Sequence, residues 1–233
     1  MPDKTPDSRT HSGCAGDARI DDHGHPMKKL WDISPLVSAA TPPFPGDVAF
    51  SHAWTARIGP GCPVNLGVIR MSPHVGAHAD APLHYADGAA AVDALDLAPY
   101  LGPCRVIHAM DCGPLVQSEH LAHAALDLPP RVLVRTCLRA PTAWSPDFTA
   151  FAPETIDWLA SLKVKLVGID SQSVDPAESK TLPSHQRLRQ HDLRVLENLV
   201  LDAVPAGDYE LIALPLKLAG ADASPVRAIL REL

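Results

Sequence analysis

The chain has 233 residues, enough for one substantial domain. Apolar residues make up 46% of it, sufficient for a real core, yet no apolar run reaches the roughly 18 residues that a membrane span requires. The formal net charge is −7 and no basic stretch stands out, which excludes a partner held by phosphate contacts, nucleic acid above all.

Residues 1–26 are polar and rich in turn formers, and they lack the apolar stretch of a secretory signal. A disordered N-terminal extension is expected there, with the folded domain over 27–233. Residues 64–70 (VNLGVIR), 105–109 (RVIHA), 131–136 (RVLVRT), 164–169 (VKLVGI) and 211–216 (LIALPL) are short, mostly β-branched and bounded by turn signals, and are predicted strands. Between them, 118–126 reads as a helix with Ser118 as N-cap, and 153–162 as a helix with Pro153 at its first position. Residues 187–199 form a third candidate helix. The tail SPVRAILREL is expected to make a short docked helix capped by Ser224. No internal repeat or long linker interrupts this alternation, so one α/β domain is the simplest organisation.

The five cysteines (Cys14, Cys62, Cys104, Cys112 and Cys137) are odd in number and include no C-x-x-C pair. This speaks against a disulfide framework and against a thiolate zinc site, and for reduced thiols in the cytoplasm.

The chemistry concentrates in residues 72–85, SPHVGAHADAPLHY. His74, His78, Asp80 and His84 share even numbering and would face one way on a straight strand. Such a strand cannot make one site, because ten residues at about 3.3 Å each would separate His74 from His84 by roughly 33 Å. Pro82 interrupts any single helix through His84. The segment must therefore fold on itself, with Pro73, Gly76 and Pro82 as punctuation. One helical turn from Ser72-Pro73 is an alternative way to pair His74 with His78. Two imidazoles and a carboxylate within seven residues suit a zinc-like ion, which would bring water near neutral pKa. His84, set slightly apart, would shuttle a proton. The bland alternative is a set of incidental polar residues at a structured turn.

This segment resembles the H-x-G-T-H-x-D-x-P-x-H signature of the cyclase-like metal-dependent hydrolases, and within them the bacterial kynurenine formamidases, or arylformamidases. The likeness runs from about Leu30 to the C-terminus, through LWDISPLVS (30–38), FPGD (44–47), CPVN (62–65), LGPCRVIH (101–108), DPAESKTL (175–182) and GDYELIALPLK (207–217). It departs from the signature at Ala77, where the wider group has Thr. The resemblance implies an α/β, swivelling β/β/α-type single domain with a central mixed sheet. It implies two metals per subunit, usually Zn²⁺ with Mn²⁺ possible. His74, His78 and Asp80 would hold the first metal, Asp80 would bridge to the second, His185 would bind the second, and Glu197 would bridge both. His84 would be the general acid/base. Phe44 would line the substrate pocket, where the family often has Trp.

On the residues alone, His185 is a histidine at a loop-to-helix junction, and Glu197 an ordinary carboxylate of the third candidate helix. His191 is left as structural, and Asp170 as a turn or cap residue. The implied reaction is hydrolysis of N-formyl-L-kynurenine to L-kynurenine and formate by a hydroxide activated at two metals. The substrate would be a small aryl formamide and the enzyme a cytoplasmic homodimer. No G-x-S-x-G nucleophile motif is present. Two alternatives stand beside it: a related ring-amide hydrolase of the isatin type, and a non-catalytic metal-binding protein.

Overall fold

The computed structural model describes residues 28–233; the expected extension over 1–26 lies outside them. The strands in chain order are β1 (Leu30–Asp32), β2 (Ser51–Ala56), β3 (Leu66–Arg70), β4 (His78–Asp80), β5 (Leu101–His108), β6 (Leu115–Val116), β7 (Arg131–Arg135), β8 (Ala150–Phe151), β9 (Leu166–Ile169), β10 (Arg194–Glu197), β11 (Gly207–Ile212), β12 (Ala223–Pro225) and β13 (Ile229–Arg231). The α-helices are α1 (Ser118–Leu121), α2 (Pro153–Ser161) and α3 (Pro183–Gln190).

Nine strands form one mixed sheet in the order β1-β13-β11-β5-β7-β9-β10-β4-β12. Its centre, β5-β7-β9-β10, is parallel, and the flanking strands are antiparallel. The parallel strands read as nearly unbroken apolar runs because both of their faces are covered. Val106, Leu133, Leu166 and Leu196 point into one core with Tyr100 and Leu211. Their neighbours Ile107, Val132, Val167 and Val195 point into a second core, closed by Ile156 and Leu159 of α2 and Leu188 of α3. This alternation is the strand period at work. The architecture is the mixed-sheet α/β domain expected.

Four local expectations are corrected. Residues 187–199 are not one helix: α3 starts at Pro183 and ends at Gln190, Asp192 adopts φ 53°, and the chain re-enters the sheet as β10. Residues 224–233 are not helical but form β12 and β13, because sheet pairing outcompetes the Ser-Pro helix-start signal. Pro225 is tolerated there because β12 is an edge strand. Ser118 begins α1 rather than capping it; the cap is Gln117, whose backbone N–H donates to His120 Nδ1 at 2.9 Å. The last predicted strand is shifted, spanning Gly207–Ile212 instead of 211–216.

The β2–β3 hairpin stands apart from the main sheet and is exposed along nearly its whole length. Trp54, Leu66, Val68 and Ile69 are among its exposed apolar residues.

Candidate metal centre

The site forms where β4 is inserted between β10 and β12. Register pairs His78 with Glu197 on one side and Asp80 with Ala223 on the other. His78 and Asp80, two apart on β4, project from the same face. The chain reaches β4 through a bend, not the helical turn considered as an alternative: Gly76 has φ 76°, and a Cβ there would stand 2.7 Å from Val37 Cγ2. This turn brings the His74 and His78 rings to 4.9 Å between centroids. After Asp80, Pro82 opens a short 3₁₀ turn, Pro82–His84, which carries His84 back over the site with its ring 4.2 Å from that of His74.

Asp80 is buried and faces two ways. Its Oδ1 lies 3.1 Å from His74 Nδ1 and 3.3 Å from His78 Nε2, and its Oδ2 lies 3.3 Å from His185 Nε2. Glu197 spans the same gap: Oε2 is 3.3 Å from His78 Nε2 and Oε1 is 3.6 Å from His185 Nε2. The backbone N–H of Val174 donates to Glu197 Oε1 at 2.8 Å and fixes that carboxylate. His185 joins from α3, two residues after Pro183.

The orientation of the rings is the informative feature. His74 Nε2 donates to Asp222 Oδ2 at 3.0 Å, His78 Nδ1 to the Gly76 carbonyl at 2.9 Å, and His185 Nδ1 to Asp175 Oδ2 at 2.7 Å. Each imidazole thus gives its outer N–H to an oxygen and turns its other nitrogen inward, toward Asp80. Outer oxygen partners of this kind fix the tautomer of metal-ligating histidines. His84 Nδ1 donates to the same Asp222 oxygen at 3.3 Å.

His78 Nε2 and Asp80 Oδ1 are buried, close and yet out of line for any hydrogen bond. An unsatisfied buried polar atom costs about 1–3 kcal/mol. Atoms that converge at that cost fit a shared cation, and three overlapping donor sets (His74, His78, Asp80; His74, His84, Asp222; Asp80, His84, His185) each gather within 4.8 Å. The set of imidazole and carboxylate donors suits a borderline-soft divalent ion.

The electrostatics agree. Burial lowers the His78 pKa, but the Asp80 and Glu197 carboxylates outweigh it and push it up to about 10. Burial also opposes charge on His185, and Asp175 and Asp80 reverse that, again to about 10. Burial favours a neutral Asp80, yet the His78 charge and the contacts with His185 and His74 hold its carboxyl well below the usual range. The site is an acidic cavity that calls for positive charge at its centre.

The cluster floors a cleft of about 380 Å³. Phe44 lines it, presented by the turn Phe44-Pro45-Gly46-Asp47, in which Gly46 takes φ 98° and the Asp47 N–H donates to the Phe44 carbonyl. Trp144 braces the Phe44 ring edge-on at 6.0 Å. Asp47 is held in turn by Ser72, whose hydroxyl donates to it at 3.0 Å.

The residues expected at the site come together: His74, His78, His84, His185, Glu197 and Phe44 line one cleft, and Asp80 lies buried beneath it against His74, His78 and His185. His191 does not; it donates to Asp157 at 2.7 Å outside the cleft. Asp170, buried just after β9, accepts from the Thr136 N–H and hydroxyl and the Cys137 N–H, and so ties the ends of β9 and β7 together instead of closing a local turn. Two carboxylates went unforeseen. Asp175 accepts from the Ser184 and His185 N–H groups, and so caps α3 where the local N-cap, Leu182, has no side-chain acceptor. Asp222 lies 148 residues from His74, and no local pattern links the two.

The family model described as "Putative cyclase" matches residues 26–176. The chain is 64% identical over 208 residues to the kynurenine formamidase of Bordetella avium, covering 89% of this chain and 100% of that one. A solved structure described as a potential metal-dependent hydrolase with cyclase activity superposes with a TM-score of 0.76 at 27% identity, over 88% of this chain and 98% of that one. An isatin hydrolase bound to the product analogue thioisatinate shares the fold, with a TM-score of 0.74 at 22% identity over 88% and 93% of the two chains. The chain thus belongs to the cyclase family, alongside relatives that carry the name kynurenine formamidase.

Proposed function

We propose that the chain hydrolyses N-formyl-L-kynurenine to L-kynurenine and formate, with two divalent cations per subunit. Zn²⁺ suits the donors best and Mn²⁺ could occupy the same ligands. His74, His78 and Asp80 would hold one cation, His185 the other, and Asp80 and Glu197 would bridge them. When bound, such cations lower the pKa of water toward about 7 and stabilise a developing oxyanion as Lewis acids.

The side chains supply the rest. Phe44 offers a ring for the aryl group of the substrate to stack on. As water adds to the formyl carbon, the carbon–nitrogen bond breaks and the aniline nitrogen needs a proton. We assign that step to His84: its Nδ1 is tied to Asp222, which supports Nε2 as the nitrogen of proton transfer. The observation that carries this reading is the inward-facing trio of imidazole nitrogens beside two spanning carboxylates, in a chain 64% identical to a named formamidase.

A homodimer is part of the proposal, supported by the exposed apolar side chains of the β2–β3 hairpin. A cytoplasmic location is supported by the free thiols of Cys62, Cys104, Cys112 and Cys137. No helix among the described residues is long and apolar enough to cross a membrane.

The test is purified protein assayed on N-formylkynurenine and on isatin, with metal analysis. Turnover of the first in preference to the second is expected. His84→Ala is expected to lower kcat by about 10²–10⁴ with metal content intact. Full activity in His84→Ala would remove the proton-transfer assignment, and preference for isatin would overturn the substrate.

A further inference from the structure

We propose that Asp222 is the positioning carboxylate of this site, one oxygen orienting both His74 toward the cation and His84 toward the leaving nitrogen. The proposal rests on the reading of the cleft as a metal-dependent amide hydrolase. Two donors converge on Asp222 Oδ2: His74 Nε2 at 3.0 Å and His84 Nδ1 at 3.3 Å. Accepting the first N–H leaves His74 Nδ1 as the nitrogen that faces Asp80, 3.1 Å from its Oδ1. Accepting the second leaves His84 Nε2 as the nitrogen free to exchange a proton. A single acceptor thus selects the tautomer of a residue that holds the cation and of the residue that moves the proton.

The backbone makes this acceptor a fixture. Asp222 immediately precedes β12, which pairs with β4 so that Ala223 lies opposite Asp80. The Ala81 N–H donates to the Asp222 carbonyl at 2.8 Å, and the Val92 N–H to the Ala221 carbonyl at 2.9 Å. The same ladder that sets Asp80 therefore sets Asp222, on the opposite side of the His74 ring. The carboxylate is only partly shielded, with 44% of its side chain exposed, so an isosteric amide leaves packing intact. Outer carboxylates on ligating histidines govern metal affinity as well as ring orientation.

The experiment compares the full-length chain with Asp222→Asn, His84→Ala and the double variant. Zn²⁺ affinity is read by competition with a chromophoric chelator, ring tautomers by ¹⁵N NMR of the histidines in the Zn²⁺-loaded protein, and kcat and KM on N-formylkynurenine at saturating Zn²⁺. Asp222→Asn is expected to bind Zn²⁺ about 10–100-fold more weakly. The Nδ1–H signature of His84, present in the unsubstituted protein, should give way to a tautomer mixture. At saturating Zn²⁺ kcat should fall at least about tenfold with KM nearly unchanged, a loss within the range of general acid–base catalysis. At saturating Zn²⁺, where the effect through His74 on cation affinity is masked, the double variant should lose no more kcat than His84→Ala alone, because Asp222 then acts on turnover through the His84 ring.

Unchanged tautomers with affinity near that of the unsubstituted protein would overturn the proposal. So would kcat losses that multiply in the double variant. If the unsubstituted protein turns over no formamide, the substrate reading fails, while the affinity and NMR measurements still decide whether Asp222 orients the two rings.

Discussion

His78 and Glu197 face each other across the β4–β10 ladder as register partners, with Nε2 and Oε2 3.3 Å apart. Their separation is set by main-chain pairing, so Glu197 can be altered with little change to the strand. Glu197→Gln keeps the shape and removes the charge that spans His78 and His185. We expect it to purify with less metal than the unsubstituted protein and to lose more than the 10–100-fold typical of an outer-partner change. Metal analysis beside a formamidase assay checks this; full metal content with full activity would exclude Glu197 from the centre.

Removing metal should loosen the fold as well as silence it. Asp80 and Glu197 are both buried, and without a cation they face each other's charge across the imidazoles, with one backbone N–H, that of Val174, on Glu197. A ligand that binds only the folded state at 100 times its Kd adds about 2.7 kcal/mol. Protein stripped with chelator is expected to melt at lower temperature, and Zn²⁺ in that excess should restore the difference. Equal melting temperatures would mean that the cluster holds no cation tightly.

Acid should weaken one tie far from the cleft. Arg105 grips Asp208 with two bonds, at 2.6 and 2.7 Å, and the guanidinium holds the Asp208 carboxyl below its ordinary pKa. A depressed carboxyl stabilises the fold above the unfolded value of about 3.9 and loses that contribution as pH falls through the folded value. The pair lies near the surface, so Asp208→Asn is expected to cost only about 0.5–1 kcal/mol at pH 7. In urea titrations the gap between variant and parent should narrow as pH falls below the unfolded value and through the lowered folded one. A gap that persists there would show that the charge is not its source.

Gly168 marks a tight layer beneath the site. A Cβ on it would stand 2.4 Å from Leu133 Cδ2 and 2.9 Å from Leu199 Cδ1, both in the buried core. Gly168→Ala should destabilise by about 1–3 kcal/mol, as overpacking does. Because Leu199 follows Glu197 closely, its Zn²⁺ affinity should fall too. Denaturant unfolding and chelator competition read the two effects; a neutral substitution would mean that the layer can relax.

How much of this was legible in the sequence differs residue by residue. The β-branched run at 131–136 reads as a strand, and Arg131–Arg135 is one of the central parallel strands. The spacing of His74, His78, Asp80 and His84, with Gly76 between, announced a folded-back cluster. Glu197 was misplaced on a helix because Leu188, Val195, Leu196 and Leu199 continue an apolar pattern across a break that depends on one unusual residue, Asp192 in left-handed conformation. The tail was misread because Ser224-Pro225 carries a helix-start signal that an edge-strand partner overrides. His185 and Glu197 entered the site only through family likeness, and Asp175 and Asp222 through neither. What joins these residues is strand order, which no short window of sequence contains.

The insertion of β4 between β10 and β12 has a consequence for how the protein is made. Asp80 emerges early in synthesis, but His185 is 105 residues behind it and Asp222 later still. A nascent chain that has shown only its histidine-rich segment owns half a nest, and pairings of such long range close slowly. A cation held by the whole donor set would thus wait until the last strands zip into place, and its occupancy would certify completed folding.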